Sequence, residues 1–249
     1  MKAAISVDGL VKRFGDRVVF EGLDLSIERG ETLAVLGASG CGKSTLLRCI
    51  GGLARPDGGS INVESEIGFV YQEPRLFPWL SVEKNVAFAA RSELERARVD
   101  DAIALVGLGP AAHLLPKQLS GGMAQRASLA RALVRNPSIL LMDEPLSALD
   151  ALLRLELQAA LAHIVRRLGA TVALVTHDVD EALFLADRVL VLAGAPARIV
   201  LTLEVPAEQR RSRTADLTPQ RIELLEALGV SGVAREPGRI IPLRALRAT

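Results

Sequence analysis

Gly37-Ala38-Ser39-Gly40-Cys41-Gly42-Lys43-Ser44-Thr45 fills the pattern G-x-x-x-x-G-K-[ST] at every specified position. A short apolar run, Thr32 to Leu36, precedes it, and Ser44 to Ile50 follows with helical spacing. Strand, glycine-rich loop and helix in that order is the context the pattern requires. Glycines at 37, 40 and 42 let the backbone turn tightly and aim successive N–H groups at phosphate oxygens, with the positive end of the helix behind them. Lys43 is then expected to reach the β- and γ-phosphates of ATP, the Ser44 hydroxyl to hold Mg²⁺, and Thr45 to cap or contact the α-phosphate side. The bland alternative is a chance glycine-rich turn, and the flanking pattern argues against it.

Outward from this loop the chain reads as α/β. Ile5 to Val11 and Val18 to Ile27 mix β-branched and polar residues around Phe14-Gly15-Asp16, which predicts an antiparallel hairpin region. Ser81 to Val106 and Gly121 to Arg135 carry helical spacing and composition, a helical lobe in the middle third. Ile139 to Met142 and Thr171 to Val175 read as strands joined by the helical stretch Ala151 to Leu168, and Val189 to Leu192 begins a set of shorter strand-like runs. The expected architecture is a P-loop NTPase (RecA-like) core with a mostly parallel sheet, an N-terminal antiparallel β region and an inserted helical lobe. After Pro206, a charged segment with Arg210, Arg211 and Arg213 leads into an amphipathic Ile222 to Leu228, expected as a peripheral, less ordered tail.

Ile139-Leu140-Leu141-Met142-Asp143-Glu144-Pro145 is an apolar strand ending in two acids. Burial of the strand would place Asp143 beside the phosphate loop, where it can orient Mg²⁺ through water, and Glu144 one step beyond, where it can polarise the water that attacks the γ-phosphorus. Without a phosphate loop in the same chain, a solvated Asp-Glu pair would be the better reading.

Composition excludes several classes. Of 249 residues, 49% are hydrophobic and 24% charged, too apolar for a disordered chain. The 30 basic residues are matched by 29 acidic ones, for a net charge of +1, which argues against nucleic-acid binding. No run approaches the roughly 18 apolar residues of a membrane span, and the N-terminus lacks the apolar stretch of a signal peptide, so a cytoplasmic location is expected. Cys41 and Cys49 fall in one local segment and read as packing residues rather than a disulfide or metal cluster.

Between the two acid- and lysine-bearing motifs stands Leu119-Ser120-Gly121-Gly122-Met123-Ala124-Gln125-Arg126, which resembles the signature loop of ABC ATPases. Ser120, Gly121 and Gly122 before a helix offer a hydroxyl and N–H groups at a positive helix end. The resemblance implies that they meet the γ-phosphate of ATP bound to an opposite subunit, in a head-to-tail homodimer formed on ATP binding. Taken alone, the same residues are a helix cap. The likeness extends over residues 5 to 200. Gln72 resembles the Q-loop glutamine that contacts Mg²⁺ or the attacking water, with a surface glutamine as the alternative. His177, one of three histidines, resembles the switch histidine that bonds the γ-phosphate and supports Glu144. Ser147-Ala148-Leu149-Asp150 resembles the D-loop at the dimer interface, although a helix cap by Asp150 explains the same residues. Phe14 stands where the family stacks an aromatic on adenine, against the alternative of a core phenylalanine.

Glu73-Pro74-Arg75-Leu76-Phe77-Pro78-Trp79-Leu80 resembles the importers of nitrate, aliphatic sulfonates and taurine. There the resemblance implies a groove for a permease, with Phe77, Trp79 and Leu80 as apolar anchor and Arg75 as polar rim; otherwise Trp79 packs under the lobe. Ala38, Ala124 and Ser147 depart from the residues common in these importers, and the Gly59 to Gln72 connection is short. An ATPase domain over 1–205, with its lobe at about 81–136, and a tail over 206–249 follow from this reading. The implied function is ATP hydrolysis that energises an integral-membrane permease, indirectly served by a solute-binding protein, from the inner face of the cell membrane. A nucleotide-gated clamp in DNA repair or translation is the other class, and the long coiled coils, zinc modules or second ATPase domain it usually carries are not visible. The tail could regulate hydrolysis or pack as a helix on the core.

Overall fold

The structure, a computed structural model, describes residues 3–147, 149–206 and 218–230. Two sheets form its frame. β1 (Ala3–Phe14) and β2 (Arg17–Glu28) make an antiparallel hairpin through Gly15-Asp16, with Phe14 opposite Arg17. β4 (Gly58–Val63) pairs with the other edge of β1. The strand at β4 was not read from the sequence, because Gly58-Gly59 carries no strand preference and half of the segment faces solvent.

The larger sheet has the order β5-β6-β7-β3-β8-β9, built from β3 (Thr32–Gly37), β5 (Ile67–Val70), β6 (Ile139–Asp143), β7 (Thr171–Val175), β8 (Arg188–Ala193) and β9 (Arg198–Glu204). All its pairings are parallel except β8 with β9. β3, β6 and β7 are buried along their whole length, which is why they read as unbroken apolar runs rather than alternating ones. Alternate residues still go to opposite faces. Leu33, Val35, Leu141 and Val175 join a core shared with α1 (Lys43–Ile50) and the antiparallel sheet. Leu36, Leu140, Met142 and Leu174 join a second core with the helices of the other face.

Those helices are α2 (Val82–Ala87), α4 (Val99–Leu105), α5 (Gly121–Leu133), α6 (Ala151–Leu168) and α7 (Val179–Leu185), while α3 (Glu93–Arg96), between α2 and α4, buries none of its residues. The stretch 81–106 is thus three short helices. Ser81 and Ser92 each accept from the amide three residues on, so Ser81 caps the start of α2 and Ser92 caps a new helix, α3, where α2 could have continued. Asp150 caps α6 and Gly169, at φ 58°, ends it. α8 (Thr218–Ala227) packs on α7 and β9 with Leu224 fully buried, so the Ile222 to Leu228 segment is a helix against the core and not a peripheral one. Arg210, Arg211 and Arg213 lie outside the described residues.

Candidate nucleotide site

α1 starts directly from Gly42, whose φ of 116° replaces a side-chain cap. A Cβ there would come within 2.7 Å of Val19 Cγ1, and one on Gly37 within 2.5 Å of the Leu192 carbonyl oxygen, so the loop can run this close to β2 and β8 only with glycine. Lys43 follows, 5% exposed, and its Nζ donates to the carbonyls of Gly37 at 2.7 Å and Ala38 at 3.1 Å. An ammonium taken out of water is costly unless hydrogen-bonded, and these two bonds hold it at the floor of the loop.

β6 delivers the carboxylates. Its last residue, Asp143, is buried, and its Oδ1 accepts from the Ser44 hydroxyl at 2.7 Å. The chain then leaves the sheet through Glu144 at φ 47°, a left-handed conformation that costs a non-glycine residue about 1 kcal/mol or more. Its N–H donates to the Val175 carbonyl at 2.8 Å, which fixes the turn. Two groups converge on Glu144 Oε2: His177 Nδ1 at 3.2 Å, from the end of β7, and Gln72 Nε2 at 3.3 Å, from the end of β5. Gln72 Nε2 also donates to Ser147 Oγ at 3.3 Å, and that hydroxyl donates to the Glu144 carbonyl at 3.1 Å.

Phe14, Ser39, Gly40, Gly42, Lys43, Ser44, Thr45, Gln72 and Glu144 line one open cleft of about 550 Å³, within the size range of small-molecule sites. Gly37, Ala38 and Cys41 belong to the same loop but are not among the cleft's lining residues. Phe14 is 56% exposed, with Lys12 Nζ 5.1 Å from its ring centroid, so it is no core residue. Ser120, Gly121, Gly122, Asp150 and His177 are not among the cleft's lining residues. Within the chain, Ser120 caps α5 through the Met123 amide and Asp150 caps α6 through the Leu153 amide, and Gly122 lies so close to α6 that a Cβ would meet Leu153 Cδ2 at 2.3 Å. Ala148 lies outside the described residues.

Several contributors had escaped the sequence reading. Arg17 lines the cleft and donates to the Gly40 carbonyl at 2.6 Å; its place opposite Phe14 in the hairpin was the available signal. Arg131 of α5 donates to the carbonyls of Arg75 at 2.7 Å and Pro74 at 2.8 Å, and Gln125 of α5 donates to that of Tyr71 at 3.2 Å. The segment bearing Gln72 is therefore gripped on both sides by the helix that Ser120 caps. Asn85, fully buried, bonds to Phe77, Leu80 and Ser81 backbone and shapes the turn that turns Trp79 outward, 71% exposed, with Phe77 packed edge-on against Phe88.

A mostly parallel sheet, a glycine loop folded over a buried lysine and a serine–aspartate pair at the neighbouring strand end define a P-loop nucleotide-binding protein with an attached antiparallel sheet and helical lobe. The ABC transporter family model matches residues 20–147. The chain is 48% identical over 234 residues to the aliphatic sulfonates import ATP-binding protein SsuB 1 of Xanthomonas axonopodis pv. citri, covering 87% of this chain and 93% of that protein. It is also 48% identical over 231 residues to SsuB 2 of Paracoccus denitrificans, covering 92% and 93%. Among solved structures, cbiO1 of Clostridium perfringens, part of the ABC transporter complex cbiONQ, superposes with a TM-score of 0.74 at 31% identity over 91% of this chain and all of that one. The ATP-binding cassette MJ0796, in a dimeric post-hydrolysis state bound to ADP and Pi, gives 0.71 at 29% identity over 82% and 99%. The chain belongs to the ABC transporter family, among its ATP-binding subunits.

Proposed function

We propose that this chain hydrolyses ATP, with Mg²⁺, to energise an importer of small anionic solutes, aliphatic sulfonates first and nitrate or taurine next. The observation that carries the reading is the convergence of His177 and Gln72 on one oxygen of Glu144 at the edge of the phosphate-loop cleft. Relatives at 48% identity named for sulfonate import supply the solute class.

The residues fit the reaction. Lys43 exchanges loop carbonyls for β- and γ-phosphate oxygens, the 37–45 loop cradles the triphosphate, and Phe14 offers its exposed face to adenine. The hydroxyl of Ser44 and carboxylate of Asp143, 2.7 Å apart, are the hard oxygen donors a Mg²⁺ ion takes, with Gln72 lining the same cleft as Ser44. When bound, the ion neutralises charge on the β- and γ-phosphate oxygens. Glu144 accepts the proton of a water as its oxygen attacks the γ-phosphorus, and the bond to the ADP oxygen breaks with its electron pair. His177 holds the Glu144 carboxylate and can bond the γ-phosphate.

Ser120, Gly121 and Gly122 stand away from their own chain's cleft, which supports their serving the nucleotide of a second copy in a head-to-tail dimer with Asp150 at its interface. The Phe77, Trp79 and Leu80 turn with Phe88 offers an apolar ridge for integral-membrane permease subunits, reached by a solute-binding protein from the far side. No helix among the described residues is long and apolar enough to cross a membrane, which fits a peripheral subunit on the inner face of the cell membrane. The ATPase unit then spans 1–205 with the lobe at about 81–136. The clamp alternative draws no support from relatives named for import.

Uptake of a labelled alkanesulfonate by cells with and without the chain tests this. Uptake lost on deletion, restored by the native chain and not by Glu144→Gln, is expected. Unchanged uptake would overturn the solute, and a native chain without Mg-dependent ATP turnover would overturn the hydrolase.

A further inference from the structure

Arg154 sits one turn into α6 and its guanidinium faces two ways. Nη2 donates to the carbonyl of Leu149 at 3.1 Å, and Nη1 to Asp178 Oδ2 at 3.2 Å, in an ion pair whose side chains are 31% and 25% exposed. Asp178 divides its oxygens. Oδ1 caps α7 by accepting from the amides of Asp180 at 2.9 Å and Glu181 at 3.0 Å, leaving Oδ2 for Arg154. The Asp178 amide donates to Thr176 Oγ1 at 3.1 Å, and that hydroxyl donates to Glu181 Oε2 at 2.5 Å.

His177 lies between the two residues so held. Its own side chain is 56% exposed and touches Glu144, so the imidazole is placed by its backbone, and its backbone by Thr176 and Asp178. The bonds of Asp178 and Glu181 to Thr176 and to the α7 amides tie the segment into one unit with α7. The Arg154 guanidinium links that unit to the carbonyl of Leu149, next to Asp150, the cap of α6.

We propose that Arg154 is a positioning residue that couples the Leu149–Asp150 turn to His177. It rests on the ATPase reading above. A planar guanidinium with two donors on two acceptors transmits a displacement that a point charge on one acceptor would not. When the turn moves, Asp178 moves with it, and the His177 to Glu144 distance changes without any change in the phosphate loop.

The test is phosphate release and Mg-ATP affinity of the full chain carrying Arg154→Met, Arg154→Lys, Asp178→Asn and the Met/Asn pair. For Arg154→Met, kcat should fall about tenfold or more, since small misplacement of a catalytic group costs that much, while KM and ATP Kd stay within about twofold. Arg154→Lys should regain part of the loss. The double variant should be no slower than Arg154→Met, because residues acting as a unit are not additive. A kcat within about twofold of native in Arg154→Met, a parallel loss of ATP affinity, or additive effects in the pair would overturn the proposal. If Arg154→Met fails to fold, Arg154→Lys against Asp178→Asn decides it: both must lower kcat with KM unchanged. A native chain inert in the same assay would sink the hydrolase reading instead.

Discussion

His177 Nδ1 stands 3.2 Å from Glu144 Oε2 although the two residues end different strands, because β6 and β7 are neighbours in parallel register, Asp143 opposite Val175. A histidine ring and a carboxylate so arranged can hold a water between base and phosphate. Glu144→Gln keeps the size and the contacts of this oxygen but removes its basicity. Turnover should drop by about 100-fold or more, the usual weight of a general base, with ATP affinity near native. Phosphate release and calorimetric titration with Mg-ATP check both halves, and a fully active variant would remove Glu144 from the reaction.

Lys43→Ala deletes a buried ammonium that two carbonyls hold in readiness. Hydrogen bonds to a charged partner contribute about 1.5–3 kcal/mol, so ATP affinity should weaken by roughly tenfold to hundredfold. Equal affinity of variant and native chain in the same titration would exclude contact between Lys43 and phosphate.

Glu181, 2% exposed, accepts a bond from Thr176 on Oε2 while Oε1 is buried without a partner. Burial pushes its carboxyl up from 4.5 to about 7, against the pull of the Thr176 hydroxyl, with Asp178 and Glu144 adding to the rise and Arg154 opposing it. The folded state therefore binds this proton more tightly than the unfolded one. Its contribution to stability is fully present below pH 4.5 and is lost as pH rises to about 7. Glu181→Gln should abolish that slope. Relative to native, the variant should gain stability between pH 5 and 8, by up to about 3 kcal/mol. Denaturation at both pH values measures it, and an unchanged difference between them would refute the raised carboxyl.

Leu224 of α8 is completely buried in the core that α7 and β9 share. Leu224→Ala should cost about 2 kcal/mol or more, as large-to-small core changes do. Thermal melting would report it. A variant of native stability and faster ATP turnover would instead make α8 a brake on hydrolysis.

Lys43 and Asp143 were legible because their chemistry is local: nine consecutive residues bend the phosphate loop, and an apolar strand carries its acid to a known end. The parallel sheet was legible for the same reason, through the unbroken apolar runs of β3, β6 and β7. Contacts between residues far apart in the chain were not. Arg154 meets Asp178 across 24 residues and Arg131 meets Arg75 across 56, and no spacing rule encodes such distances; for Arg17, which meets Gly40 across 23, the hairpin gave the only signal. The 81–106 stretch has helical composition throughout, yet Ser92 restarts the helix from its side chain, a competition that composition does not reveal. Whether Trp79 faced inward or outward depended on four bonds made by the amide of Asn85.

That outward turn has a spectroscopic consequence. The chain contains a single tryptophan, and it is the one on the exposed ridge. Intrinsic emission excited at the red edge of indole absorption therefore comes from one site, with no labelling and no background from the core. Any surface that closes over the ridge should shift the emission to the blue as water leaves the indole, so docking can be followed in real time on the native protein.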